Sequence, residues 1–458
     1  MKDLLDYFKA NDARFLKELA DFIAIPSISA DPAHQKDITA TATFVEKQLK
    51  SAGMKNVKQF ATKGNPVVYG EWLEAKDAPT VLVYGHYDVQ PVEPVELWKT
   101  PPFEMTIKSG KMYARGTADD KGQVYILFKA IEAYLKVRKQ LPLNVKVIVE
   151  GEEEVGSTNL TEFIKKHRAM LSCDSILIAD TNMLGKNQPS ITYGLRGLTY
   201  LEVSVTSLNG DQHSGTYGGG VANPIQVLAE MLVKCKDPVT SKVKIPGFYD
   251  DVLQLTKKDR IELAKIPHND EVYAKRLGAT KVFGEKGYTT IERTGARPTF
   301  EINGIWGGHT GAGVKTVLPA SAHAKVSMRL VANQDPSKIA KLFIDYFKSI
   351  APDTVKADVK LFDNNGHAAL TPINSPGMKA AAAAIKKVYK KDPFYTREGG
   401  SIPVVADFQQ LLGVDAILLG FGLPDDNLHA PNEKMDLSQF RAGMATTVYF
   451  FEEFAKAK

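Results

Sequence analysis

The sequence predicts an α/β fold in two parts: a helix-covered mixed sheet, and an inserted α+β open-faced sandwich. Three observations carry that prediction. Residues 81–85 (VLVYG), 176–179 (ILIA) and 416–420 (AILLG) are continuously apolar, as strands buried beneath helices on both faces must be. In mid-chain, by contrast, Leu201, Val203 and Val205 alternate with Glu202, Ser204 and Thr206, the period-two pattern of a sheet with one dry face. Finally, apolar runs from distant parts of the chain each deliver acids or imidazoles at their carboxyl ends: His86 and Asp88, Glu152 to Glu154, Asp180, and His429.

Taken in order, residues 1–22 mix charged and apolar side chains at helical spacing and contain no unbroken apolar core of the signal-peptide kind. Residues 122–140 predict a helix, because Val124, Leu127, Phe128, Ile131, Tyr134 and Leu135 fall on one stripe. The run 143–149 reads as a strand that ends in the acids 152–154. Two further alternating strands are predicted, one through Ala322, Ala324, Val326, Met328 and Leu330, the other through Val355, Ala357, Val359 and Leu361. Helices are expected near 223–235 and 336–350. The resulting layout is a first part over 1–196, an insertion over 197–368, and a return to the first domain over 369–458.

Composition narrows the class. At 458 residues with 44% apolar and 24% charged side chains, the chain suits two to three folded domains. Its net charge of +5 is small and dispersed, which argues against a nucleic-acid partner. No apolar run approaches the roughly 18 residues of a membrane span. Cys173 and Cys235 lie far apart without metal-site spacing. A cytoplasmic enzyme is the expectation.

Each acid or histidine has an ordinary explanation alone. The run Glu152 to Glu154 resembles a solvated face, and Asp119-Asp120-Lys121-Gly122 a turn that caps a helix. Together they offer two histidines and at least three carboxylates at the edge of a sheet where α/β proteins bind ligands. Such nitrogen and oxygen donors, without thiolate, suit zinc, manganese or cobalt. A shared carboxylate would hold two ions at the spacing of two-metal hydrolases, and one uncoordinated glutamate would move the proton.

The segments Gly85-His86-Tyr87-Asp88, 116–122 (GTADDKG), Glu153-Glu154-Val155-Gly156, 193–197 (YGLRG), His213-Ser214-Gly215 and 429–433 (HAPNE) resemble the dinuclear zinc peptidase family of carnosine and Cys-Gly dipeptidases, aminoacylase, succinyl-diaminopimelate desuccinylase and glutamate carboxypeptidase. The likeness is greatest to the carnosine-type dipeptidases. It implies that Asp119 bridges two metals and is joined to Asp120 by a cis peptide. His86 and Asp180 would then complete one site, Glu154 and His429 the other; Glu153 would be the general acid/base, and Asp88 would orient His86. It further implies that the insertion is a lid and dimerisation domain. There His213 would reach a partner subunit's active site and Arg329 would hold the substrate carboxylate, which Ser401, in the returning segment 369–458, would also bind. Asp180, rather than a glutamate, goes in this family with dipeptidases and aminopeptidases.

The expected activity is therefore hydrolysis of dipeptides or short peptides with a free amino terminus, by a bridging hydroxide with Glu153 as proton shuttle, in a homodimer. Two alternatives stand beside it: an N-acyl-amino-acid deacylase using the same metal centre, and a non-catalytic peptide-binding homologue.

Overall fold

Four parallel strands form the centre of the main sheet, in the order Asn144–Glu150, Thr80–His86, Ser175–Ile178 and Ala416–Leu418. They belong to a computed structural model that describes residues 1–458 except Asn364, Ser401 and Lys458. On one side the sheet is extended antiparallel by Val67–Trp72 and then Lys55–Phe60; on the other, Ser190–Leu195 pairs antiparallel with Ala416–Leu418. Val81, Leu82, Val83 and Tyr84 are fully buried, in keeping with a strand covered on both faces. Because the central four run the same way, their carboxyl ends share one edge.

The helix predicted from 122 spans Lys121–Val137. Its apolar stripe meets the sheet, yet the opposite face is buried too, beneath Lys2–Ile23, Gln35–Ala52 and Leu437–Phe454. That second layer is why Lys129 and Glu132, in the interior of the helix, are buried as an ion pair at 2.6 Å. Gly122 in the first turn is obligatory for space: a Cβ there would lie 1.9 Å from the Thr117 carbonyl oxygen.

The described residues group into two units. The first comprises Met1–Tyr193, Thr371–Thr396 and the chain from Asp407; the second comprises Gly194–Leu370 and Arg397–Ala406. Residues 397–406 were counted with 369–458 from sequence, but they group with the second unit. There Arg397 packs against Gly295 and lies 3.7 Å from Asp259.

The second unit holds a four-stranded antiparallel sheet, ordered Glu301–Gly307, Ser321–Leu330, Gly197–Thr206 and Lys356–Leu361. Helices Pro224–Cys235 and Pro336–Ser349 cover its dry face, where Leu201, Val203, Val205, Ala324, Val326 and Met328 meet Leu228, Met231, Phe343 and Phe347. Asn223 and Asp335 cap the two helices by accepting from Ile225 N and Lys338 N. The strand Glu301–Gly307 was not anticipated. It has no buried side chain, and a bulge between Ile302 and Gly304 breaks its alternation, so period two is not visible. No helix among the described residues is long and apolar enough to cross a membrane.

Candidate metal centre

The carboxyl edge of the four parallel strands collects the predicted acids and histidines within the first unit. His86 is the last residue of its strand; Glu153 and Glu154 follow Asn144–Glu150 in a 3-10 turn over Glu153–Val155; Asp180 lies two residues beyond Ser175–Ile178. Asp119 precedes helix Lys121–Val137, and His429 sits in the loop after Ala416–Leu418 with a left-handed backbone.

Two groups of potential ligands result, His86 with Asp119 and Asp180, and Asp119 with Glu154 and His429, each with its donor atoms within 4.8 Å of one another. Asp119 belongs to both. Its Oδ1 lies 3.2 Å from His86 Nε2, and its Oδ2 lies 2.9 Å from His429 Nε2. The remaining carboxylates close the groups, Asp180 Oδ2 at 3.8 Å from His86 Nε2 and Glu154 Oε2 at 3.3 Å from His429 Nε2. The Asp119-Asp120 peptide is cis.

The donors fit divalent cations. His86 Nε2 and Glu154 Oε1 are buried and have no hydrogen-bond partner, an arrangement that costs free energy unless something charged is bound there. The donors are nitrogen and oxygen only, hard to borderline in character.

Electrostatics follow from that crowding. Burial pushes the Glu154 carboxyl up to about 8, with Asp119 adding to the shift. Burial likewise lifts Glu153 to about 7; His86 opposes the rise, while Asp119 and Asp88 reinforce it. Its hydrogen bond to Asp119 raises His429 to about 9. Asp119 is held low: burial works against its charge, but His429 and His86 outweigh it. Glu153 joins neither ligand group.

Asp88 faces both the imidazole and the neighbouring turn. His86 Nδ1 lies 3.1 Å from the Asp88 carbonyl oxygen and 3.4 Å from its Oδ1. The two Asp88 carboxylate oxygens accept from the backbone amides of Glu153 and Glu154, at 3.3 and 3.1 Å. Asp88 thus meets the imidazole with both its carbonyl and its carboxylate and anchors the 153–155 turn through its side chain.

Other supports were not singled out from sequence. Gln90 donates to Glu154 Oε2 at 2.8 Å, and Asp120 accepts from His86 N at 3.1 Å. Buried Glu433 accepts from Arg115 and from three backbone amides. Gln90 is an isolated amide without a pattern, whereas Glu433 and Asp120 lay inside quoted motifs, where their burial was the missing signal.

The substrate-binding candidates His213 and Arg329 fall in the second unit. His213 is exposed and caps the short helix Ser214–Tyr217, its Nδ1 accepting from Gly215 N at 3.0 Å. Arg329, predicted on the wet face of its strand, is half-buried, and burial lowers the pKa of its guanidinium. Ser401 lies outside the described residues.

A parallel-centred sheet with paired ligand groups at its carboxyl edge defines an α/β protein built to bind metal. The model of "Peptidase family M20/M25/M40" matches residues 82–453, and the chain belongs to that family. It is 34% identical to the Cys-Gly metallodipeptidase DUG1 of Candida albicans, covering 100% of this chain and 98% of that protein. It is 29% identical to the human Beta-Ala-His dipeptidase, over 100% and 93% of the two chains. Among solved structures, the di-peptidase Dug1p of Saccharomyces cerevisiae superposes with a TM-score of 0.82 at 31% identity, covering 99% of this chain and 98% of that one. The M20 family metallo-carboxypeptidase Sso-CP2 of Sulfolobus solfataricus gives 0.84 at 34% identity, covering 96% and 99%.

Proposed function

We propose that this protein is a metal-dependent dipeptidase that cleaves dipeptides and short peptides bearing a free amino terminus. The observation that carries the reading is the sharing of Asp119, one carboxylate oxygen toward each ligand group, with Glu153 in neither group but acted on by the charges of His86, Asp119 and His429. Its relatives named Cys-Gly and Beta-Ala-His dipeptidases support the substrate class.

In this reading His86, Asp119 and Asp180 would hold one divalent cation and Asp119, Glu154 and His429 a second; zinc is the first choice, manganese or cobalt the alternatives. When bound, the pair supplies Lewis acidity for the scissile carbonyl and acidifies a water. Glu153 takes up the proton of that water and delivers it to the departing amine. Its elevated pKa suits both halves of the transfer. Asp88 keeps the Glu153 backbone in place through the amide it accepts.

For the second unit, the proposal is a lid that also carries a homodimer contact, with His213 stabilising the oxyanion across subunits and with Arg329 and Ser401 holding the substrate carboxylate. Cytoplasmic residence accords with two unbridged thiols, Cys173 and Cys235.

A second reading is carboxypeptidase action on longer peptides, favoured by the likeness to the Sulfolobus metallo-carboxypeptidase. The decisive experiment combines metal analysis with a panel of Ala-Ala, Cys-Gly, β-Ala-His, a pentapeptide and N-acetyl-alanine, with and without chelator. Chelator-sensitive cleavage of the dipeptides, with N-acetyl-alanine spared, is expected. Preference for the pentapeptide from its carboxyl end would establish the second reading, and turnover of N-acetyl-alanine alone a deacylase.

A further inference from the structure

The centre depends on bringing His429 beside Asp119, two residues that are 310 positions apart. The scaffold for that meeting is a small sheet in which Lys434–Asp436 pairs antiparallel with Lys111–Tyr113. It places the loop that ends in Glu433 next to the turn that ends in Asp119. Pairing of two short strands fixes their register but not the orientation of the turn beyond them.

Glu433 supplies that orientation. Its side chain is fully buried. Oε1 accepts from Ala118 N at 2.8 Å and from Asp119 N at 3.2 Å; Oε2 accepts from Gly116 N at 3.0 Å and from Arg115 Nη1 at 2.7 Å. Both oxygens are therefore saturated, by three backbone amides and one guanidinium. Gly116 holds a left-handed backbone at φ 86°, which lets the turn wrap one carboxylate. Arg115 is itself buried and anchored through Nη2 to the Pro91 carbonyl at 2.9 Å. The loop bearing His429 thus reaches over and grips the backbone of Asp119.

We propose that Glu433 is a positioning residue that sets the geometry of both cation sites by clamping the Asp119 turn to the His429 loop. This rests on the two-cation reading above. Asp119 serves both ligand groups, so a shift of its backbone disturbs both at once, whereas removal of a support behind Glu154 alone would disturb one.

Glu433→Gln is the sharp variant. With Oε1 kept on its two amides, the new amide nitrogen would face the Gly116 N–H and Arg115, donor against donor. Cobalt(II) titration of the metal-free protein, followed by metal content and by the cobalt absorption band, reads the outcome. Wild-type protein should take up two ions. The variant should bind both about 10- to 100-fold more weakly, the range for groups that orient a ligand, with an altered band.

Glu132→Gln serves as the comparison, since Glu132 is a buried carboxylate paired with Arg14 and Lys129 away from the centre. It should lower the melting temperature and leave cobalt binding unchanged. If Glu433→Gln does not fold, Arg115→Lys carries the test, with both steps weakened at least about threefold by loss of the planar fork. Folded Glu433→Gln, or failing that Arg115→Lys, with wild-type affinities and band would overturn the proposal. A wild-type chain that takes up no cobalt would instead overturn the two-cation reading.

Discussion

At the residue scale, the proposed ligand Glu154 and the proposed proton shuttle Glu153 sit one position apart, and the backbone turn separates their placements. Glu154 faces His429, while its neighbour Glu153 stands outside both ligand groups. Glu153→Gln should therefore keep its metal, measured by elemental analysis, and lose about 10²- to 10⁴-fold in kcat, the usual worth of a general acid/base. Wild-type turnover in that variant would remove Glu153 from the mechanism. Asp119→Asn should do the reverse, stripping both ions, because one residue serves both groups. His86, Glu154, Asp180 and His429 are legible as candidates because each follows an apolar run in the sequence, whereas the bridging place of Asp119 comes from the family resemblance. The full part played by the Asp88 carboxylate is not legible. His-x-Asp spacing suggests an imidazole partner, and the carboxylate lies 3.4 Å from His86 Nδ1, but it also accepts from two amides of a turn 65 residues away, a long-range contact that spacing cannot encode.

At the element scale, the edge of the sheet works only if helix Lys121–Val137 lies close against strand Thr80–His86. Gly85 allows that approach, and Gly122 lets the start of the helix fold back on the turn through Thr117. A Cβ on Gly85 would come within 2.4 Å of Val124 Cγ2 and 2.8 Å of Asp120 Oδ2, while one on Gly122 would meet the Thr117 backbone oxygen at 1.9 Å. Val124 can shift; a carbonyl in a turn gripped by Glu433 cannot. Gly85→Ala should thus cost about 1 to 3 kcal/mol by overpacking, and Gly122→Ala more, as read from urea midpoints of the metal-free proteins. Equal costs would mean that the turn gives way as readily as a side chain. Apolar runs and helical stripes announced these elements from sequence to within a few residues. Strand Glu301–Gly307 escaped because Ile302, Ile305 and Trp306 are exposed at 48%, 53% and 41%, leaving no dry face to set a period.

At the scale of the whole molecule, two kinds of sheet could be told apart from sequence because burial on two faces and on one leave different patterns. What no pattern shows is the charge buried within the helical layer of the first unit. Glu18 accepts from Lys129 at 2.7 Å, from Tyr125 at 2.5 Å and, through its other oxygen, from Arg14 at 2.8 Å. Burial opposes its charge, but Lys129, Tyr125 and Arg14 win and hold the carboxyl down at about 2, against an ordinary 4.5. A lowered acid stabilises the fold above its unfolded pKa, and that contribution fades as pH falls through the folded value. The Glu18 share is therefore full above about pH 4.5 and lost on approach to pH 2. Glu18→Gln should destabilise the protein by about 1 to 3 kcal/mol at pH 7, the worth of hydrogen bonds to a charged group. The gap between variant and wild type should then narrow steadily from pH 5 to pH 3. Urea unfolding in the presence of chelator at pH 7, 5, 4 and 3 measures it. A gap that stays constant down to pH 3 would show that the charge of Glu18 contributes nothing to the stability of the helical layer.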